Sequence, residues 1–129
     1  MLIVVDPHSG IPVFRQIMDQ IRFHVVSGLL QPGDELPSTR TLSASIGINP
    51  MTVSKAFHLL EKEGIVDRRP GLPLVVREQP STEIHKKRIE QLRTRLGPIA
   101  TMIRQLHIDS GDALELLREL LEESDEDER

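Results

Sequence analysis

Residues 32–71 read PGDELPSTRTLSASIGINPMTVSKAFHLLEKEGIVDRRPG. Near the middle, Asn49 stands directly before Pro50, an N-cap followed by a proline at the first helical position, where the missing N–H costs nothing. From there Val53, Ala56, Phe57 and Leu60 recur with the helical period and give one buried face. Gly64 follows Glu61-Lys62-Glu63 and suits a left-handed C-terminal cap. Upstream, Ser38 behind Pro37 starts a shorter helix that carries Leu42 and Ile46 inward, and Gly47 permits a sharp turn between the two helices. Downstream, Ile65-Val66 and Leu74-Val75-Val76 read as two strands of a hairpin that closes over both. Helix, tight turn, helix and hairpin in that order is the layout of a winged helix-turn-helix, a module that docks a helix into the DNA major groove. The predicted class is α+β.

The register of the second helix leaves Met51, Thr52, Ser54, Lys55 and His58 away from the apolar stripe. A hydroxyl, a methyl and an ammonium at a helix N-terminus can reach base edges and phosphates, and the positive end of the helix dipole attracts phosphate as well. The alternative from pattern alone is a small α+β domain whose helix merely has a polar solvent face, and the alternative in function is a winged-helix adaptor that joins proteins and binds no DNA. Such an adaptor has no need of a polar and basic cluster at the start of that helix, and this chain has one.

Working outward, a long helix from about Pro12 to Ser27 is expected to bury Val13, Ile17, Ile21 and Val25, with Gly28 to Pro37 as an irregular connection. The start, Met1-Leu-Ile-Val-Val-Asp6, lacks the charged n-region and long apolar core of a signal peptide and reads as a short strand. No apolar run approaches the roughly 18 residues of a membrane span. A cytoplasmic protein is expected. Cysteine is absent, so a disulfide framework, a thiolate zinc site and a thiol nucleophile are excluded. His8, His24, His58, His85 and His107 show no metal-ligand spacing. Phosphate loops, nucleophile elbows and paired catalytic carboxylates are not visible. The expectation is a non-enzyme with no cofactor and no metal.

Charge argues the other way at first. The 129 residues carry a formal net charge of −4, which is not the footprint of a nucleic-acid binder. Much of the excess lies in Glu122-Glu123-Ser124-Asp125-Glu126-Asp127-Glu128, expected to be a solvated, frayed end. Residues 1–78 balance their acids with Arg15, Arg22, Arg40, Lys55, Lys62, Arg68, Arg69 and Arg77. DNA senses local potential within about 10 Å at moderate salt, so Arg40, Lys55, Arg68 and Arg69 on one face suffice.

The chain resembles GntR-family transcriptional regulators, specifically the short YtrA-type subfamily. The matching residues are Asp6-Pro7, Ile11 to Ile17 (IPVFRQI), Gly28 to Arg40 (GLLQPGDELPSTR), Asn49 to Ala56 (NPMTVSKA) and Leu60 to Ile65 (LEKEGI). The similarity covers about the first 78 residues, and many spaced positions match together. By this resemblance Arg40 matches the family arginine that contacts DNA from the start of the first motif helix. Thr52, Ser54 and Lys55, beside Asn49 and Met51, fall where the family places base and phosphate contacts. Gly71 resembles the wing-tip glycine that lets backbone approach the minor groove, with Arg68 and Arg69 in reach of phosphate. Where the family often has Gly-x-Gly-Thr, this chain has Gly71-Leu72-Pro73-Leu74, and Pro73 removes a donor and stiffens the tip. The resemblance implies double-stranded DNA with a palindromic operator as partner, and repression as the activity. It also implies control of transport or envelope-stress genes.

Beyond Pro80 the pattern becomes helical only, which divides the chain into a DNA-binding region at 1–78 and a dimerisation region at 79–129. Ile89, Leu92, Leu96, Ile99, Ile103 and Leu106 alternate three and four apart, the seam of a helix that packs on another helix. Gly97-Pro98 is expected to interrupt and kink it. Asp109 or Ser110 starts a second helix with Leu114, Leu117, Leu120 and Leu121 on one face. Two such helices cannot cover both faces with each other, so a second copy is expected to complete a homodimer, as the subfamily resemblance also implies. The alternative is that this hairpin folds back on its own DNA-binding region. About fifty residues of helix leave little room for a pocket of several hundred Å³, and no small-molecule effector is named by any residue.

Overall fold

The computed structural model describes residues 2–127, with side chains as far as Glu123. The elements run α1 (Val13–Val26), α2 (Thr39–Ile46), α3 (Pro50–Lys62), β1 (Val66–Asp67), β2 (Val75–Val76), α4 (Ser81–Gln105) and α5 (Ser110–Asp127). They form two compact units, one ending at Ile89 and the other beginning at Glu90.

In the first unit α3 packs against both α1 and α2. The core is Ile17, Ile21, Leu36, Leu42, Val53, Ala56, Phe57, Leu60, Ile65, Val66 and Val76 with several smaller contributors. Each element ends for a local reason. Ser38 Oγ accepts from the Thr41 amide at 3.0 Å and starts α2, while Gly47 at φ 68° closes it. Asn49 Oδ1 accepts from the Met51 amide at 2.8 Å and starts α3, with Pro50 behind it. At the other end Gly64, φ 80°, donates to Glu61 O and Ile65 donates to Leu60 O, both at 3.0 Å. That pair of bonds is a Schellman motif and turns the chain directly into the wing.

The wing is antiparallel, with Val66 opposite Val76 and Asp67 opposite Val75. Its strands are shorter than the sequence suggests. Ile65 is buried but belongs to the Schellman turn. Leu74 lies outside β2 and accepts from the Leu36 amide at 2.8 Å. The connection after α1 is less irregular than expected, because Gly33 donates to Val76 O at 2.9 Å and Val76 donates to Asp34 O at 2.8 Å. Glu35 thus bridges to Val75 as a third strand-like edge.

Two further expectations are corrected in this unit. Residues 2–6 do not form a strand. They lie extended along α1, where Gln16 and Gln20, one helical turn apart, take the place of a neighbouring strand. Val4 donates to Gln20 Oε1 at 2.9 Å and Asp6 to Gln16 Oε1 at 2.8 Å, and both carboxamides donate back to the carbonyls of the same two residues. On α1 itself the buried residues are Ile17, Met18, Ile21 and Val26, whereas Val13 and Val25 only lean on the core. The helix turns its last apolar position inward one residue later than the spacing predicts.

Arg22 joins α1 to the end of α3, donating from Nε to Glu63 Oε2 at 2.9 Å and from its terminal nitrogens to Glu63 and Asp19. Burial pulls its pKa down, but the two carboxylates outweigh it and the net direction is up. The first turns of α4 are fastened to the same unit. Arg88 Nε donates to Val26 O at 2.7 Å, Gln79 Nε2 to Gly64 O at 3.0 Å, and Lys87 Nζ to Gln79 Oε1.

The second unit contains the rest of α4 and α5. Gly97-Pro98 does not interrupt α4, which is helical from Ser81 to Gln105. A proline disfavours the helical conformation of its predecessor through that residue's N–H and Cβ, and Gly97 removes the second of these. The turn after α4 is another Schellman motif, with His107 donating to Arg104 O at 3.1 Å and Ile108 to Ile103 O at 3.2 Å. Here His107 takes the left-handed position at φ 55°. Asp109 then caps α5, accepting through Oδ2 from Gly111 and through its carbonyl from Ala113, each at 3.0 Å. The acidic run continues α5 to Asp127. Glu122 to Asp127, expected as a frayed end, are thus helical, and Glu128 lies outside the described residues.

Candidate nucleic-acid interface

The start of α3 presents the side chains that the sequence singles out. Met51 is 79% exposed, Asn49, Ser54, Lys55 and His58 are exposed, and Thr52 is half-buried. Val53, Ala56, Phe57 and Leu60 face the other way and are buried. A helix with that division can offer its first turn and a half to a groove without disturbing the core. Asn49 is committed to the cap, so its side chain serves α3 before any ligand.

The four basic residues singled out by the sequence are in different states. Arg40 is exposed on the first turn of α2. Lys55 holds its Nζ 4.0 Å from the centre of the Phe14 ring, a cation–π contact between α3 and α1. Arg68 Nε lies 3.2 Å from Glu61 Oε2, and Arg69 Nη2 lies 3.5 Å from Glu35 Oε1. Gly71 takes φ 71° at the wing tip, with open space where a Cβ would stand. Beyond it Leu72 is 54% exposed. Between the wing and the start of α2 runs a cleft of about 540 Å³ bounded by Ser38, Thr39, Arg68, Arg69, Gly71 and Leu72. The N-terminus of α2 and the wing therefore border one cleft, with Phe57 of α3 at its floor.

Three partners of these basic residues escape the sequence reading. Phe14 sits under Lys55 because α1 crosses α3, a tertiary fact with no local signal. Glu61 precedes Arg68 by a turn and a Schellman loop, a spacing that hints at the pair. Glu35 reaches Arg69 only because residues 33–36 join the wing as an extra edge.

Farther along, Leu92, Leu96, Ile99, Leu114, Leu117, Leu120 and Leu121 are all exposed, and Ile103 is half-buried. Among the described residues no group of three or more His, Asp or Glu is placed to hold a metal ion. No helix there is long and apolar enough to cross a membrane.

Comparison with known proteins agrees with this geometry. The sequence profile of the bacterial regulatory proteins, gntR family, matches residues 14–76. The HTH-type transcriptional repressor YtrA of Bacillus subtilis (strain 168) is 35% identical over 95% of this chain and 91% of its own length. Among solved structures, YtrA from Sulfolobus acidocaldarius, a GntR-family transcription factor, is 33% identical and superposes with a TM-score of 0.58 over 73% of this chain and 99% of its own. A Listeria monocytogenes EGD-e protein described as a transcriptional antiterminator is 28% identical, with a TM-score of 0.66 over 93% of this chain and 90% of its own.

Proposed function

The chain belongs to the gntR family of bacterial regulatory proteins, and from that premise we propose that it is a transcriptional repressor that binds double-stranded operator DNA as a homodimer. The observation that carries the reading is the first turn of α3. Met51, Ser54 and Lys55 project from it, Thr52 borders it, and the cap and core residues of the same helix are fully committed elsewhere. In the groove these side chains would meet base edges, while Arg40 and the N-terminus of α2 would meet phosphate. The wing, with Arg68, Arg69 and Gly71, would follow the adjacent backbone.

The homodimer rests on the second unit. Its apolar side chains on α4 and α5 are largely exposed, from 37% at Leu96 to 67% at Leu114, and a contiguous apolar face of this kind marks an interaction surface. A two-fold copy would cover them and set two α3 helices one helical turn apart, matching a palindrome. The division of labour follows, with residues 1–78 reading DNA and residues 79–129 pairing the copies. The cytoplasm is the compartment in which such a regulator would meet its operator.

Genomic fragments retained by the purified chain, once sequenced, should share a palindrome. Binding to it, followed by fluorescence anisotropy, should weaken steeply with salt. Retention of no sequence in preference to another, at any salt, would sink the reading in favour of an adaptor.

A further inference from the structure

The wing carries two arginines, and both are already answered by carboxylates of the same chain. Arg68 pairs with Glu61 from the last turn of α3, and Arg69 pairs with Glu35 from the edge bonded to β2. Among the described residues no carboxylate pairs with Arg40 or Lys55. The four candidate basic residues therefore fall into two sets, an unopposed pair on the helices and an opposed pair on the wing. The opposed pair lines the cleft between the wing and α2.

Building on the proposed DNA-binding function, we propose that Glu35 and Glu61 are specificity-determining residues, which occupy the wing guanidiniums until duplex phosphates displace them. A guanidinium binds carboxylate and phosphate through the same donors, so it cannot fully satisfy both. On an unrelated sequence the wing would have to give up two ion pairs for phosphate contacts that carry no sequence information. On the operator, docking of α3 fixes the register and brings phosphates to the wing at high effective concentration. The carboxylates thus penalise binding wherever α3 is not seated. All four side chains are at least one-third exposed, so each pair is a weak restraint that DNA can break.

The test uses the full chain, a short mixed-sequence duplex beside an operator recovered from the retained genomic fragments, and fluorescence anisotropy over a salt series. Glu35→Gln and Glu61→Gln should each tighten binding to the mixed-sequence duplex by about two- to fivefold and to the operator by less, and an equal gain on both overturns the role in specificity. Together they should steepen the salt dependence by up to about two released counterions. Glu83→Gln, which changes net charge equally at an exposed position on α4, should do neither. Adding Arg68→Ala and Arg69→Ala to the double Gln variant should abolish the gain. A gain that survives loss of the arginines, or equals that of Glu83→Gln, is a net-charge effect and overturns the proposal. Equal affinity and slope in wild type and double Gln variant overturns it too, leaving DNA binding intact. A chain that binds no duplex in any form overturns the DNA-binding reading itself, and this inference with it.

Discussion

At Lys55 the ammonium rests over the Phe14 ring, so the side chain is held near the outer face of α3 instead of sampling solvent. Such a contact is worth about 0.5–1 kcal/mol at an exposed site. Lys55→Ala should therefore weaken DNA binding with only a minor loss of thermal stability. If Lys55 meets phosphate, affinity should fall for all sequences and the salt slope should drop by about one. If it meets a base, sequence preference should relax by about 1–3 kcal/mol. Lys55→Arg separates the two, because a guanidinium keeps the charge and stacks on the ring but cannot reproduce the geometry of an ammonium. Anisotropy against a retained operator and a scrambled duplex reads both, and unchanged binding on both removes Lys55 from the contact set. The residues legible in the sequence at this scale are the caps. Ser38, Asn49 and Gly64 were readable because capping is settled within a few residues of a helix end. The partner of Lys55 was not, because it depends on where α1 crosses α3.

Two elements invite measurement. In α3, Phe57 is 3% exposed and is one of three Phe in a chain without Trp or Tyr. Phe57→Ala should cost about 3–5 kcal/mol by denaturant unfolding. A loss within the roughly 0.5 kcal/mol of surface substitutions would mean that the helix turns another face inward. In the wing, the hydrogen bond from Arg77 holds the Asp67 carboxyl below the usual carboxylate range. A lowered folded-state pKa stabilises above the unfolded value and loses that effect as pH falls through the folded value. Asp67→Asn should then melt below wild type at neutral pH and converge with it in strong acid. A constant gap across the acid range would show that the pair adds nothing through its charge. Helices were legible as elements because a 3.6-residue period repeats over several turns. The N-terminal segment was misread as a strand because its partners are two glutamine carboxamides, which mimic a peptide edge without any pattern of their own. Pro98 does not break α4, and the missing Cβ at Gly97 removes one of the clashes that disfavour a proline there.

At the scale of the whole molecule, the proposed homodimer is the point to measure. Asp in place of Ile99 or Leu117 would bury an unpaired charge at the proposed two-fold interface. Sedimentation velocity should show each variant as a monomer with much weaker operator binding, since the second half-site contact loses its effective concentration. A wild-type chain that sediments as a monomer contradicts the dimer. For a separated DNA-binding region, the contacts of Gln79, Lys87 and Arg88 make Ile89 a better end than Glu78. The sequence located the change of organisation near Pro80 from composition, but a contact between Arg88 and the Val26 carbonyl leaves no trace in composition.

That late division, inside α4 and not in a loop, has a consequence for digestion. A protease must draw several residues of backbone into an extended strand before it cuts, and a continuous helix resists this. Trypsin meets Lys86, Lys87, Arg88 and Arg93 on either side of the division, all within helical turns. It should spare them in the native protein and cut first after Arg68, which is exposed in the non-helical part of the wing. The early fragments, read by mass spectrometry, would then end far from the place where the contacts divide.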